Sequence, residues 1–295
     1  MKKLIALSAL TFASTIFAAD VAYSPPVGGF TTVAAANSDT LVSPTLAREA
    51  AWRGTVSGAT SSEITISNEA WTAGQFAPGA ETYYIRLLSG SLAGQYFVVT
   101  GNTTNAVTVD AAGFDLSQIT AGDSAEVVPF WTLGTLYPAN QVGTAFIASA
   151  NPLNVQTQLL FFDGDSEGIN RASSAIYYFY NGAWRKAGAS TALSFDNTIV
   201  FPDTYFIHRN KDASTTLVYV GRVQPGALGT VLEARSERND NFVALSFPVD
   251  VTLNDSGLAA AITPSANPLL VQDQLLVFSS EGAGYNRAAS AIYYY

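Results

Sequence analysis

The chain contains a pattern that is typical of serine hydrolases. Residues 164–168 read Gly-Asp-Ser-Glu-Gly, which matches the Gly-x-Ser-x-Gly turn that presents a nucleophilic serine, here Ser166. That turn needs a helix after it, yet residues 169–180 have the composition of a strand. The general base would have to be His208, the sole histidine. We therefore expect a polar hairpin loop and no catalytic residue.

The same loop has acidic residues in the spacing of a calcium loop. Asp163, Asp165 and Glu167 precede Gly168 as they do in such loops, but the twelfth position, which should supply a bidentate carboxylate, is Ser174. A solvated acidic turn is the favoured interpretation, and a calcium site is the alternative.

Nothing in the sequence predicts a transition-metal site. His208 lies at the end of a predicted strand beside Arg209 and Lys211, and the chain has no cysteine. Zinc sites need several nitrogen or sulfur ligands. We expect no metal and no cofactor, and we expect His208 to lie at the surface or to be satisfied by hydrogen bonds. The lack of cysteine also excludes disulfides and thiol catalysis.

A β-hairpin is predicted around Asn181-Gly182. Both residue types tolerate the positive φ of a type I′ turn, and strand-like residues flank them on both sides. We expect Tyr178, Tyr180 and Trp184 to meet across the two strands on the face that is buried.

The aromatic residues of this hairpin could also bind sugars. A flat row of Tyr177, Phe179 and Trp184 would form a stacking platform for a carbohydrate. The alternative is that these rings serve core and cross-strand packing, as is common for aromatic residues in β-proteins.

The elements that must position these residues are strands. Hydrophobic residues make up 48% of the chain and charged residues 13%, so the chain should fold. Odd positions from 243 to 253 are apolar, which predicts a strand with one buried face. The other predicted strands are residues 63–67, 83–87, 95–100, 106–110, 198–201, 205–209 and 216–220. This pattern predicts an all-β protein, with a small N-terminal β-barrel-like domain followed by a larger antiparallel β-sandwich or barrel.

An internal repeat lies in the second half of the chain. Residues 149–179 and 265–295 align without a gap, with 20 identities in 31 positions. In the first copy a turn and a Trp-bearing strand follow the aromatic strand, so we expect the second unit to be cut short and the chain to be a fragment. The rival interpretation is a single pseudo-symmetric domain, residues 141–295, whose last strands close the sheet.

Each copy of the repeat carries an Asn-Arg pair before its aromatic strand. These pairs are Asn170-Arg171 and Asn286-Arg287. The arginine could bind an anionic sugar or a partner. The favoured interpretation is structural: the asparagine closes the turn, and Arg171 lies over Tyr177 or Tyr178.

The chain divides into five predicted segments. Residues 1–18 have two lysines, an apolar run and small residues at the end, as in a secretory signal peptide. They are followed by an N-terminal arm of doubtful order (19–49), a small β-domain (50–140), a sandwich repeat unit (141–256) and a partial second unit (257–295).

The charge and the hydropathy of the chain argue against a nucleic-acid partner and against a membrane span. The formal net charge is −9 at pH 7, and an acidic surface repels phosphate backbones, so we expect no nucleic-acid partner. We expect no membrane span after signal cleavage, because no other apolar run approaches the ~20 residues that a bilayer requires. The predicted location is secreted or in the bacterial cell envelope.

Several segments carry a resemblance to a known family. They are YYIRLLSGSLAGQYFVVTGN, ITAGDSAEVVPFWTLGTLYP, NRASSAIYYFYNGAWRKAG and NFVALSFPVDVTLNDSGL. With them, most of the chain resembles an uncharacterised family of exported β-rich bacterial proteins. The resemblance implies export and a two-part layout, and it implies no activity.

The sequence therefore favours a non-enzymatic exported structural or interaction protein of the cell envelope or extracellular matrix. We expect its partners to be copies of itself or other envelope or matrix polymers. The alternative is a carbohydrate-binding module that uses Tyr177, Phe179 and Trp184. A hydrolase with carboxylate catalysis ranks third, because few of the residues that such an enzyme needs are visible in the sequence.

Overall fold

The computed structural model describes residues 26–67, 70–164, 166–226, 228–235, 238–245, 249–279 and 282–295. Strands account for 37% of the residues and helices for 5%, which confirms the all-β prediction. The predicted signal peptide, residues 1–18, lies outside the described residues.

The strands are β1 (Val27–Ala34), β2 (Ser38–Val42), β3 (Trp52–Ala59), β4 (Glu63–Ile66), β5 (Tyr83–Leu87), β6 (Tyr96–Asn102), β7 (Ala106–Asp110), β8 (Ser124–Pro129), β9 (Trp131–Thr132), β10 (Thr157–Phe161), β11 (Ala175–Tyr180), β12 (Ala183–Lys186), β13 (Ile199–Val200), β14 (Phe206–Asn210), β15 (Thr215–Arg222), β16 (Gln274–Val277) and β17 (Ala291–Tyr294). The helical elements are α1 (Leu133–Leu136) and the 3₁₀ turns Leu116–Gln118, Ala139–Gln141 and Leu258–Ala260.

Six strands form a closed barrel in the order β3-β4-β7-β6-β5-β8. Alternate residues of these strands point inward, and Val56, Ile64 and Val127 are fully buried in the barrel core. Register shifts at Val56/Gly58 and Val99/Gly101 mark bulges, which bend strands and so help a short sheet to close. Closure leaves the barrel without a free edge.

The second part of the fold is built on a five-stranded antiparallel sheet in the order β12-β11-β10-β14-β2. The paired strands β1 and β15 lie over it, and Leu217 and Tyr219 of β15 join the same hydrophobic core as Leu159 of β10 and Phe206 of β14. Residues 19–49, predicted to be a poorly ordered arm, thus contain two strands that complete these sheets.

The predicted hairpin between β11 and β12 is confirmed. Asn181 (φ 48°) and Gly182 (φ 78°) both have the positive φ of a type I′ turn. The predicted faces are wrong: Phe179 lies opposite Trp184, so Trp184 shares its face with Phe179 and not with Tyr178 or Tyr180. Directly opposed residues point to the same side of a sheet, and a two-residue loop sets this register.

The second copy of the repeat forms the same hairpin as the first. Leu159 pairs with Tyr177, and in the second copy Leu275 pairs with Tyr293, at the same offset along the chain. Strands β16 and β17 form a separate two-stranded sheet. Among the described residues, the last strands therefore do not pair with the sheet of the first copy, as the rival interpretation expected them to do.

The strand predicted across residues 243–253 is absent from residues 243–245 and 249–253; residues 246–248 lie outside the described part. Alternation predicts one buried face, but a strand also needs a hydrogen-bonded neighbour. Val249 is 70% exposed, and residues 253–256 form turns in which Thr252 donates to the Asp255 carboxylate.

Candidate interaction surface

The hairpin β16–β17 exposes the residues that its counterpart buries. Tyr293 is 49% exposed, whereas the equivalent Tyr177 is 7% exposed. Leu276 is 40% exposed, whereas Leu160 is 6% exposed. Because sequence and register are shared, the difference lies in what covers each hairpin.

Both edges of the second hairpin are open. In the first copy, β14 pairs with β10 and β12 pairs with β11, so each strand has a neighbour on both sides. Among the described residues, β16 and β17 pair only with each other. Unpaired main-chain groups along such edges can accept an added strand from another chain.

The face of this hairpin that corresponds to the core face carries aromatic rings. Tyr293 and Tyr295 alternate on it, and Tyr295 is 66% exposed. Strands β16 and β17 contain no charged residue. A partner could therefore cover this face without desolvating a charge, which favours association. We call the exposed faces and edges of β16–β17 the hairpin surface.

The sugar-stacking platform predicted for the first copy is not available. Tyr177, Phe179 and Trp184 are 7%, 5% and 0% exposed and belong to the core. The Trp184 indole N–H donates to the Tyr137 carbonyl at 3.1 Å, and its ring centroid lies 4.9 Å from that of Phe146. These rings cannot stack on a carbohydrate without unfolding the sheet.

The Gly-x-Ser-x-Gly segment forms a hairpin loop, as expected. Ser166 donates its hydroxyl proton to the Asp163 carboxylate, and the next regular element is β11 rather than a helix. His208 lies inside the five-stranded sheet, where its recorded hydrogen-bond partners do not include Ser166.

His208 is a buried core histidine. It is fully buried on β14, where Nε2 lies 3.1 Å from the Asn210 side-chain oxygen and 3.3 Å from the Thr215 hydroxyl, and Nδ1 lies 3.4 Å from the Tyr137 hydroxyl. Burial lowers its pKa to about 4, against a smaller opposing effect of the Asn210 hydrogen bond. The sequence predicts that His208 lies at the surface or is satisfied by hydrogen bonds. The hydrogen bonds are confirmed, and the surface position is wrong.

The acidic loop does not assemble calcium ligands among the described residues. The Asp163 carboxylate accepts from Ser166, and its carbonyl accepts from Arg171, while Asp165 lies outside the described part. No group of three or more histidine, aspartate or glutamate side chains in the described ranges could hold a metal ion.

The Asn-Arg pairs close turns, but Arg171 does not lie over Tyr177 or Tyr178. Its guanidinium lies 4.8 Å from the ring centroid of Phe242 and donates to the carbonyl oxygens of Asp163 and Asp240. Phe242 lies far from Arg171 along the chain and just before the strand predicted at residues 243–253, so no local pattern could place it there.

A buried ionic cluster joins the barrel to β15, and sequence reasoning missed it. The Glu126 carboxylate accepts from Arg222 at 3.0 Å and from Arg53 at 3.0 Å, and it lies 3.6 Å from Arg86. Burial lowers the pKa of Arg86, which donates to Gln224 at 2.8 Å. No local pattern brings together residues so distant in the chain.

Two shallow depressions near this junction have cavity volumes of about 10 and 90 Å³, far below the ~300–1,000 Å³ of typical ligand pockets. The helices in the described ranges are all too short or too polar to cross a bilayer.

Comparisons of the chain with protein-family models, with curated proteins and with solved structures find no match.

Proposed function

We propose that the chain is a non-enzymatic exported protein of the cell envelope or extracellular matrix, and that it associates with copies of itself through the hairpin surface. The observation that carries the proposal is the contrast between the two copies: Tyr177 is 7% exposed and Tyr293 is 49% exposed in the same register.

Energetic considerations support association through this surface. Each large apolar side chain that leaves water contributes about 1.5–3 kcal/mol when it is fully buried. Ile292, Tyr293 and Tyr294 are 57%, 49% and 52% exposed, so a partner that covered both faces would bury much apolar area. Pairing of the open edges would add main-chain hydrogen bonds and fix the direction of the added strand.

Sedimentation velocity over a range of protein concentrations tests the proposal. We expect the weight-average sedimentation coefficient to rise with concentration, and we expect Tyr293→Ser to weaken association about tenfold or more, as for an aromatic residue at the centre of an interface.

Leu153→Ser is the matched control, because Leu153 is 93% exposed but lies in a loop of the first copy. It should leave association unchanged. A wild-type protein that sediments as one species at every concentration, or a Leu153→Ser change as large as that of Tyr293→Ser, would contradict the proposal.

Binding of a polysaccharide is the second candidate function, and the exposure of Tyr293 and Tyr295 on one face favours it. These residues are the counterparts of Tyr177 and Phe179, at 49% and 66% exposure. The test is retention of the protein on an insoluble polysaccharide. If the wild type does not self-associate but is retained, and Tyr295→Ser abolishes this retention, polysaccharide binding would rank ahead of self-association.

A further inference from the structure

The two loops that carry the Asn-Arg pairs each hold an aspartate from a distant segment. The loop at residues 168–171 holds Asp240, and the loop at residues 284–287 holds Asp39. In both loops the glycine and the asparagine have positive φ, 115° and 52° in the first and 125° and 50° in the second. We call these two loops the clasps.

The same three hydrogen bonds form at both clasps. The aspartate amide donates to the glycine carbonyl, at 3.0 Å from Asp240 to Gly168 and 3.1 Å from Asp39 to Gly284. The amide of the asparagine donates to the aspartate carboxylate, at 2.6 Å for Asn170 and 2.7 Å for Asn286.

The arginine completes each set. Nη2 of Arg171 donates to the Asp240 carbonyl at 2.6 Å, and Nη2 of Arg287 donates to the Asp39 carbonyl at 2.9 Å. A carboxylate, an amide and a carbonyl of one aspartate are thus bound at once.

The two segments that are held resemble each other. Residues 38–42 read Ser-Asp-Thr-Leu-Val, and residues 239–243 read Asn-Asp-Asn-Phe-Val. Each has the aspartate second, a large apolar residue fourth and valine fifth. Residues 38–42 form β2, the edge strand of the five-stranded sheet, whereas residues 239–243 form no strand and Asn239 makes an isolated bridge to Gly168.

The two clasps therefore hold equivalent aspartates by equivalent contacts. The clasp of the first copy holds Asp240, from the segment between the two copies, and the clasp of the second copy holds Asp39, from the segment that precedes the barrel. The barrel, β3 to β8, lies in the chain between Asp39 and the first hairpin, which explains why the spacings along the sequence differ.

We propose that the Gly-x-Asn-Arg clasp is a recognition site for an aspartate in an extended segment, and that both copies of the repeat keep this site. The clasp at residues 284–287 is reinforced by Arg209, which donates to the Asp39 carboxylate at 2.6 and 2.8 Å and to the Asn286 side chain at 2.8 Å. The site is independent of the function proposed for the hairpin surface, since it uses neither face of β16–β17.

Amide hydrogen exchange in the full chain tests whether the two clasps act separately. Asp240→Asn should accelerate exchange of the Asn170 amide about tenfold, as expected when a charge-assisted hydrogen bond is replaced by a weaker neutral one, and leave the Asn286 amide unchanged. Asp39→Asn should do the reverse. Asp212→Asn, at an exposed position in a surface turn, is the matched control and should change neither amide.

Substitution of the clasp arginines tests recognition from the other side. Arg287→Gln should accelerate exchange of the Asp39 amide, which donates to the Gly284 carbonyl, and leave the Asp240 amide unchanged. Arg171→Gln should do the reverse. Failure of either aspartate variant or either arginine variant to accelerate exchange at its own clasp, or equal acceleration at both clasps, would overturn the proposal.

Discussion

The first and second copies of the repeat have the same hairpin in different surroundings. In the first copy, β10 and β11 lie between β14 and β12 and contribute Leu159 and Tyr177 to the core. In the second copy, β16 and β17 have the same register but no neighbouring strand among the described residues, and Tyr293 is 49% exposed.

The comparison separates local from tertiary determinants of the hairpin. The pairing register follows from the repeated sequence, since it is the same in both copies. Burial instead depends on the strands and the β1–β15 pair that surround the first copy. Within the described residues, the second copy thus presents a strand pair without a neighbouring strand, which is the basis of the proposed association.

The largest difference between the copies should appear on truncation of equivalent tyrosines. Tyr177→Ala should lower the free energy of unfolding by about 3–5 kcal/mol, because it leaves a cavity in the core. Tyr293→Ala should lower it by less than about 1 kcal/mol, because the ring is largely in water. Urea unfolding followed by tryptophan fluorescence measures both, and equal losses would show that the two hairpins are equally buried.

Acidification should loosen the surroundings of the first copy by protonating His208 on β14, next to β10. The folded-state pKa is about 4, below the ordinary value near 6.5, so the neutral imidazole is the form that folding favours. Its contribution is complete above pH 6.5 and is lost as the pH falls to about 4, for a total of roughly 3 kcal/mol.

The variant His208→Gln isolates this effect. It removes the titration, so its free energy of unfolding should fall less steeply than that of the wild type between pH 6.5 and 4. The neighbouring tyrosines, Tyr137 and Tyr219, do not titrate in this range, because the ordinary pKa of tyrosine near 10 already lies above it and burial raises the pKa of both further. Parallel pH profiles for the two proteins would show that His208 is not held neutral by the sheet.

A smaller loss of stability is expected at the β11–β12 turn, which places β12 beside β11. Gly182 has φ 78°, which costs an L-residue about 1–2 kcal/mol, so Gly182→Ala should lower the thermal stability and raise exchange at the β11 edge. Gly164→Ala is the control, since a Cβ at either position meets no atom within 4 Å but only Gly182 has a positive φ. Loss of stability in the control and not in Gly182→Ala would contradict the assigned turn.

Most of the secondary structure could be predicted from local patterns, while the environment of the candidate site could not. Alternation and turn residues predict β5 and β7, and Asn181-Gly182 predicts the β11–β12 hairpin, because these signals act over a few residues. The pattern at residues 243–253 predicts a strand that does not form in the described part, since alternation does not supply a partner strand.

The sites depend on contacts between distant segments. The predicted ring neighbours of Trp184 are wrong because the face on which Trp184 lies follows from the register of the turn. Counting residues across Asn181-Gly182 gives that register. The pairing of Asp39 with the second clasp joins residues more than 240 positions apart. The repeated Asn-Arg pair was the available signal, but its target became visible only in the folded chain.

The most direct test of the account is amide hydrogen exchange of the Tyr177 and Tyr293 amides in the same sample at increasing protein concentration. The account predicts that the Tyr177 amide exchanges only through global unfolding at every concentration. It predicts that the Tyr293 amide exchanges faster in dilute solution and becomes protected as the protein associates. Equal protection of the two amides in dilute solution, or a Tyr293 amide that no concentration protects, would contradict it.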